Sequence, residues 1–233
     1  DVEYIWPVPS QLRMRTCRFF VADDLDAIPE DIGGDGDPVT LLFGRTPTYD
    51  GKECGIIASS PALGHGEGIE GHVAGGTNER LHSKCPECGE YFQLNLIEQL
   101  KFDTDGSPAD AAESVYVLCP SGNGCVIKPQ HKMTLARSAV WVGAGQTIMP
   151  DGTVTGDLRK TSVASFSIDG LVGFLGWSRL AEMWREAEIA WQTRQSEAKL
   201  ATFYNTRAGV NYTTRREVLK PLEADDLSAL KVE

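Results

Sequence analysis

The sequence predicts an α/β fold with a cysteine-bearing insertion and a long C-terminal helix. Three observations predict it. Two short apolar runs flank a helix-sized segment, four cysteines form two close pairs, and three tryptophans recur seven residues apart. Two buried strands joined by a helical crossover fit a parallel sheet.

The first run, Arg18-Phe19-Phe20-Val21-Ala22, ends on Asp23-Asp24 and reads as a buried strand with carboxylates at its C-terminal end. Asp26 follows, placed to cap a short helix or to form an ion pair. The glycine-rich stretch 33–38 is a loop, and a helix is expected over about 38–45, closed by Arg45-Thr46-Pro47. The second strand is Cys54-Gly55-Ile56-Ile57-Ala58, followed by Ser59-Ser60-Pro61. Ligands of parallel sheets bind at the carboxyl ends of the strands, where both polar clusters would lie.

An Asp at the end of a buried strand is how nucleotide hydrolases hold Mg²⁺, with a neighbouring carboxylate polarising the attacking water. Asp23 and Asp24 have that arrangement, although acidic turn residues after a strand are common for structural reasons alone. The chain has no GxxxxGK[ST] loop, whose amides and lysine would surround the phosphates. Gly64-His65-Gly66-Glu67-Gly68 lacks a following Lys-Ser/Thr and reads as a loop.

Cys85-Pro86-Glu87-Cys88-Gly89 is a pair with two residues between its cysteines, and Cys119 and Cys125 form a stretched pair with five between. Four thiolates in tetrahedral array suit Zn²⁺ and leave no open position, so the expected role is structural. The bland alternative is four thiols without a metal. Such an ion contributes on the order of 10 kcal/mol to folding a small module. Val115-Tyr116-Val117-Leu118 leads into the second pair as a ribbon strand would, and His82 is an alternative ligand. Cys17 and Cys54 read as core residues. No HExxH or GxSxG pattern is present.

Trp177, Leu180, Ala181, Trp184, Ala187 and Trp191 lie on one face of a helix expected over 176–208, with Glu182, Arg185, Glu186 and Arg194 opposite. A core-packing face is the simpler reading, and an aromatic stripe stacking on bases the sharper one. Gly209 is the expected stop.

Composition narrows the function classes. No run of 18 apolar residues exists, so no membrane-spanning helix is expected. The paired cysteines suit a reducing compartment. Residues 1–110 hold 20 acidic and 8 basic side chains, which by itself argues against a general nucleic-acid surface. The opening DVEYIWPVP reads as a start cut from something longer or processed.

Taken in order, these stretches resemble the large terminase subunit of tailed bacteriophages, of the lambda-like packaging family, over about residues 12–215. FFVADDLDAIPED resembles its second nucleotide-binding motif. GDPVTLLFGRTPTYDGKECGIIASSPALGHG resembles the crossover and the Ser/Thr-rich coupling motif. KCPECGEYFQLNL and CVIKPQHKMTLARSAVWV resemble the entry and exit of a cysteine ribbon. FSIDGLVGFLGWSRLAEMWREAEI and LATFYNTRAGVNY resemble the segment linking motor and nuclease.

The resemblance implies a partial P-loop NTPase-type parallel sheet, divided as follows. Residues 1–80 are the later part of an ATPase core, 81–130 a Cys₄ zinc-ribbon-like insertion and 131–175 a return to the core. Residues 176–215 are a helix and linker towards a nuclease, and 216–233 a polar tail. It implies Mg²⁺ and ATP as cofactors of the complete motor, with structural Zn²⁺. Double-stranded DNA, a small terminase subunit, a portal protein and further copies of itself are the implied partners, in the host bacterial cytoplasm and transiently at the procapsid portal.

Asp23 becomes the Mg²⁺-associated carboxylate, Asp24 the water-activating group, and Ser59 and Ser60 the nucleotide-state sensors. Arg45 and Arg80 become candidates for phosphate or DNA contact, with surface ion pairs as the alternative.

Three departures bear on activity. Asp24 stands where the family usually has Glu. The usual Gly-Asp is missing from Ala74–Arg80, and the P-loop and nuclease motifs are absent from the chain. A non-catalytic zinc-containing module that binds DNA or portal, and an inactive prophage remnant, are therefore the alternatives. Asp225-Asp226 is a weak candidate for a nuclease motif.

Overall fold

A computed structural model describes residues 2–12, 16–122 and 124–215. The tail that holds Asp225 and Asp226 lies outside them. The elements begin with α1 (Pro9–Leu12), β1 (Phe19–Ala22), α2 (Pro38–Phe43), β2 (Cys54–Ile57), α3 (Gly68–Gly75) and β3 (Glu79–Lys84). Next come β4 (Tyr91–Gln93), α4 (Leu96–Gln99), β5 (Leu100–Lys101), α5 (Pro108–Ser114), β6 (Tyr116–Leu118) and β7 (Val126–Ile127). The chain continues through α6 (Lys132–Ser138), β8 (Val140–Val142), β9 (Thr147–Ile148), β10 (Val154–Thr155) and β11 (Phe166–Ser167). It closes with α7 (Trp177–Arg194) and α8 (Ala198–Phe203). Among the described residues no helix is long and apolar enough to cross a membrane.

The chain forms two compact units. The first comprises the described residues of Asp1–Arg80, Trp141–Thr147 and Val154–Ser167. The second comprises those of Leu81–Val140, Ile148–Thr153 and Ile168–Glu233. The stretch 131–175 is thus divided between the units rather than returning to one core.

In the first unit β1 and β2 run parallel, with Phe19 opposite Cys54 and Ala22 opposite Ile57. The crossover contains α2, whose first turn is fixed by Asp37 Oδ1 accepting the Thr40 amide at 2.7 Å. Phe20 packs edge-on against Phe43 of α2 at 4.9 Å, covering one face of the pair. The expectation of fully buried strands is corrected. Phe19 is 62% exposed, Val21 71% and Ile56 58%, because only one face is covered. Cys54 lies exposed beside them rather than in the core. β11 pairs in parallel with the start of β3, Phe166 opposite Glu79. The architecture is mixed α/β with small sheets.

The second unit holds the larger core, in which Phe92, Leu96, Val117, Ile127, Leu135, Trp177, Leu180 and Phe203 cluster. β3 and β4 form an antiparallel hairpin around the first cysteine pair, and β5, β6 and β7 form a second antiparallel sheet. The insertion is therefore not free-standing, because residues 85–127 share their core with α7 and α8.

The helix expected over 176–208 is broken. Gln195 adopts a left-handed conformation (φ 54°) and its amide bonds back to Trp191 O at 2.9 Å. A straight helix would separate residues 184 and 203 by about 28 Å, yet the Trp184 and Phe203 rings lie 5.2 Å apart. Burying Leu200 and Phe203 against α7 requires the reversal. Gly209 (φ 72°) closes the segment, as expected. Trp177 is buried and its Nε1 donates to Leu171 O at 2.8 Å, which fits the core-packing reading of the stripe. Arg185 is corrected from the solvent face to a buried position, where its Nε donates to Gly106 O at 2.7 Å.

Candidate functional site

Two sites emerge, one in each unit. The first lies at the carboxyl ends of β1 and β2. Because the strands are parallel and in register, Asp23-Asp24 and Ser59-Ser60 leave the pair at the same end. The loops are joined there by the Asp26 amide, which donates to Ser59 Oγ at 3.0 Å, and by the Leu25 amide, which donates to Ala58 O at 3.3 Å. Ser59 Oγ in turn donates to Ser60 O at 3.1 Å.

Asp23 and Asp24 are exposed at this end. Asp24 is left-handed (φ 53°), and Asp23 Oδ1 accepts the Asp24 amide at 3.1 Å. An Asp tolerates this conformation better than most residues. The Asp23 carboxylate is thus held by local turn geometry, and both side chains are exposed.

The buried carboxylate is Asp26, read from the sequence only as a cap or ion-pair residue. Its Oδ2 accepts the Ala62 amide at 2.8 Å and its Oδ1 the Ile69 amide at 2.7 Å. It therefore caps α3 from a distance and pins the loop after β2. The position next to it is Gly68 (φ 50°), where a Cβ would come within 2.4 Å of Asp26 Oδ1. The glycines at 64, 66 and 68 form a turn into α3 whose amide end is already served by this carboxylate. A protein carboxylate there leaves a phosphate poorly matched to that helix end.

Arg45 is not brought to this end. Arg45 follows α2, its Nε donates to Leu41 O at 3.2 Å, and its carbonyl accepts the Cys17 amide at 3.1 Å. Cys17 precedes β1, so Arg45 lies where the strands begin. Arg80 is on β3, opposite Ser167, with its Nε donating to Asn78 Oδ1 at 3.2 Å. Asn78 is left-handed (φ 50°) and its amide donates to Ser165 Oγ at 2.8 Å. The segment without the usual Gly-Asp is thus fixed by a Thr-Asn turn.

The second site is the thiol cluster. The Sγ atoms of Cys85, Cys88 and Cys119 lie within 4.8 Å of one another. A tetrahedral thiolate site with bonds of about 2.3 Å needs sulfur separations near 3.8 Å, so these sulfurs are close to ligating geometry. Cys125 closes the stretched loop, its carbonyl accepting the Cys119 amide at 3.0 Å; it is not one of the trio, yet its thiol is hydrogen-bonded with those of Cys88 and Cys85. His82 sits on β3 opposite Gln93, outside the trio.

The local sequence shapes this cluster. Gly89 (φ 78°) allows the knuckle turn, with its amide donating to Cys85 O at 3.0 Å. The amides of Cys88 and Glu87 point at the Cys85 sulfur, and that of Glu90 at Cys88. Burial still pushes the Cys85 thiol up to about 12. The Ser121 hydroxyl, with the Glu90 amide, holds the Cys88 thiol down at about 6. Burial and the neighbouring Cys88 push Cys125 up. Sequence reasoning missed Ser121, which lies 3.0 Å from Cys119 Sγ and 3.4 Å from Cys88 Sγ.

Fold and sites together define an α/β protein with a carboxylate-bearing parallel strand pair and a separate thiol-clustered module. Residues 2–141 match the family model described as phage terminase large subunit gpA, ATPase domain. The chain belongs to that family. No curated protein and no solved structure matches it.

Proposed function

We propose that the chain supplies the later part of a phage DNA-packaging ATPase, with a structural zinc module attached. The observation that supports this best is the common end of β1 and β2, which gathers Asp23, Asp24, Ser59 and Ser60. When bound, Mg²⁺-ATP would supply the phosphoryl group and the charge-neutralising ion. On this reading Asp23 holds the ion's shell and Asp24 orients water for in-line attack. Ser59, bonded to the Asp26 amide, relays a change at the carboxylates to the loop after β2. Asp24 is one methylene shorter than the family's usual Glu, and angstrom-scale displacement of a base can cost about 100-fold in rate.

The bare face of β1–β2 favours an incomplete motor over a self-sufficient binding module. Parallel sheets are normally covered on both faces, yet Phe19, Val21 and Ile56 are all more than half exposed. A P-loop-bearing segment would cover them and bring the missing phosphate cradle. Arg45 and Arg80 then serve structure rather than phosphate.

Cys85, Cys88, Cys119 and Cys125 form the zinc ligand set of this reading, Cys125 being hydrogen-bonded with Cys88 and Cys85. Double-stranded DNA, the portal, a small terminase subunit and further copies of the chain are the partners it implies. The setting is the host cytoplasm and the procapsid, and nuclease activity belongs to another part of the motor. The second reading, a zinc-containing module or remnant without turnover, rests on the absence of a GxxxxGK[ST] loop from the chain.

ATPase turnover of the purified chain, alone and with a P-loop-bearing upstream segment added, tests the choice. Turnover only on addition, and lost in Asp23→Ala, supports the split site. No turnover with both pieces folded by circular dichroism supports the second reading.

A further inference from the structure

We propose that Ser121 is a positioning residue of the sulfur site, donating a hydrogen bond to Cys119 and thereby setting metal affinity in the stretched loop. The inference rests on the zinc reading above. Ser121 Oγ lies 3.0 Å from Cys119 Sγ and 3.4 Å from Cys88 Sγ, so one hydroxyl spans both halves of the cluster. In the thiol state either partner can be the donor. Once a metal has displaced the thiol protons, the sulfurs only accept, and the hydroxyl proton becomes the donor. The nearer sulfur, Cys119, is its target.

The loop chemistry explains why a side chain is used. In the first pair the short turn aims the Glu87 and Cys88 amides at Cys85. Both pairs open on a proline, Pro86 and Pro120, but the second is stretched, with five residues between its cysteines instead of two. Ser121 supplies a donor where the shorter turn would use backbone. In the thiol state it also bridges Cys119, on the exit of β6, and Cys88, on the β3–β4 hairpin. Two knuckles distant in sequence are thus held at ligating separation. Groups that hydrogen-bond to metal ligands typically alter affinity by about 10- to 100-fold.

The test uses the full chain, loaded with Zn²⁺ or Co²⁺. Zinc affinity is read by competition with a chromophoric chelator, and the thiolate-to-cobalt charge-transfer band by absorption. Ser121→Ala is expected to weaken zinc binding by about tenfold or more. It should also move the band to longer wavelength, since a thiolate without its hydrogen bond is easier to oxidise. Ser121→Thr, which keeps the hydroxyl, restores both. A purely structural loop role would leave the band in place. Zinc affinity in Ser121→Ala within twofold of the parent, with the band unmoved, overturns the proposal while leaving the zinc reading intact. A parent chain that binds neither ion overturns both.

Discussion

Asp26 Oδ1 accepts the Ile69 amide at 2.7 Å, joining the turn after β1 to the first turn of α3 across 43 residues of sequence. Its other oxygen holds the Ala62 amide at 2.8 Å, and its own amide is bonded to Ser59. One buried carboxylate therefore sets the spacing between the strand-end carboxylates and the serines beside them.

Asp26→Ala is expected to cost about 2–4 kcal/mol, because two amides lose their acceptor in a buried setting. Asp26→Asn retains one acceptor and should cost less. Urea unfolding curves of both variants measure the difference. An alanine variant as stable as the parent would mean that water replaces the carboxylate freely.

Gly55→Ala is expected to destabilise the β1–β2 pair by about 1–3 kcal/mol, the usual cost of overpacking. A Cβ at residue 55 would come within 2.2 Å of the Phe20 ring, its register partner. Combining it with Phe20→Leu should recover part of the loss. A double-mutant cycle by thermal melts reads the coupling, and strict additivity would contradict the packing.

Asp169 gives a pH dependence to the second unit. Its oxygens accept the Leu171 amide at 2.8 Å and the Leu96 amide at 2.9 Å. Burial outweighs these bonds and pushes its carboxyl up from 3.8 to about 6. The folded state therefore holds the proton more tightly than the unfolded chain. Its stabilising contribution, at most ~3 kcal/mol, is complete below pH 3.8 and lost as pH rises through about 6. Asp169→Asn should flatten that part of the stability-pH curve, measured by chemical denaturation between pH 4 and 7. An unchanged slope would remove Asp169 as its source.

Cys85→Ser and Cys119→Ser should each abolish near-stoichiometric zinc and loosen residues 81–130. Metal content by mass spectrometry and hydrogen exchange over those residues measure the two effects. A full equivalent of zinc retained in either variant would exclude these sulfurs as ligands.

Much of the fold was legible because its signals are local. The parallel βαβ pair could be read from FFVA and CGII, and the crossover helix from Asp37-Pro38, which supply its cap and first position. The cysteine cluster was visible as two close pairs. α5 was missed although Ser107, Pro108 and Asp110 form a capping box at its start. That signal lay in the sequence and was obscured by the expectation of ribbon strands.

What the sequence by itself determined is the chemistry available at each position: carboxylates after an apolar strand, thiols in pairs, an aromatic helical face. These follow from spacing of two to seven residues. Tertiary structure alone decided which of them meet. Arg185 was assigned to the surface by periodicity, yet it turns inward to the Asp105 and Gly106 carbonyls, some eighty residues away. Asp26 is deeply held while Asp23 and Asp24 stand exposed, although all three follow the same strand. Ser121 gains its importance from two sulfurs brought together by different sheets. Burial and hydrogen-bond partnership belong to pairs of distant residues, and closure of the chain, not local periodicity, selects them.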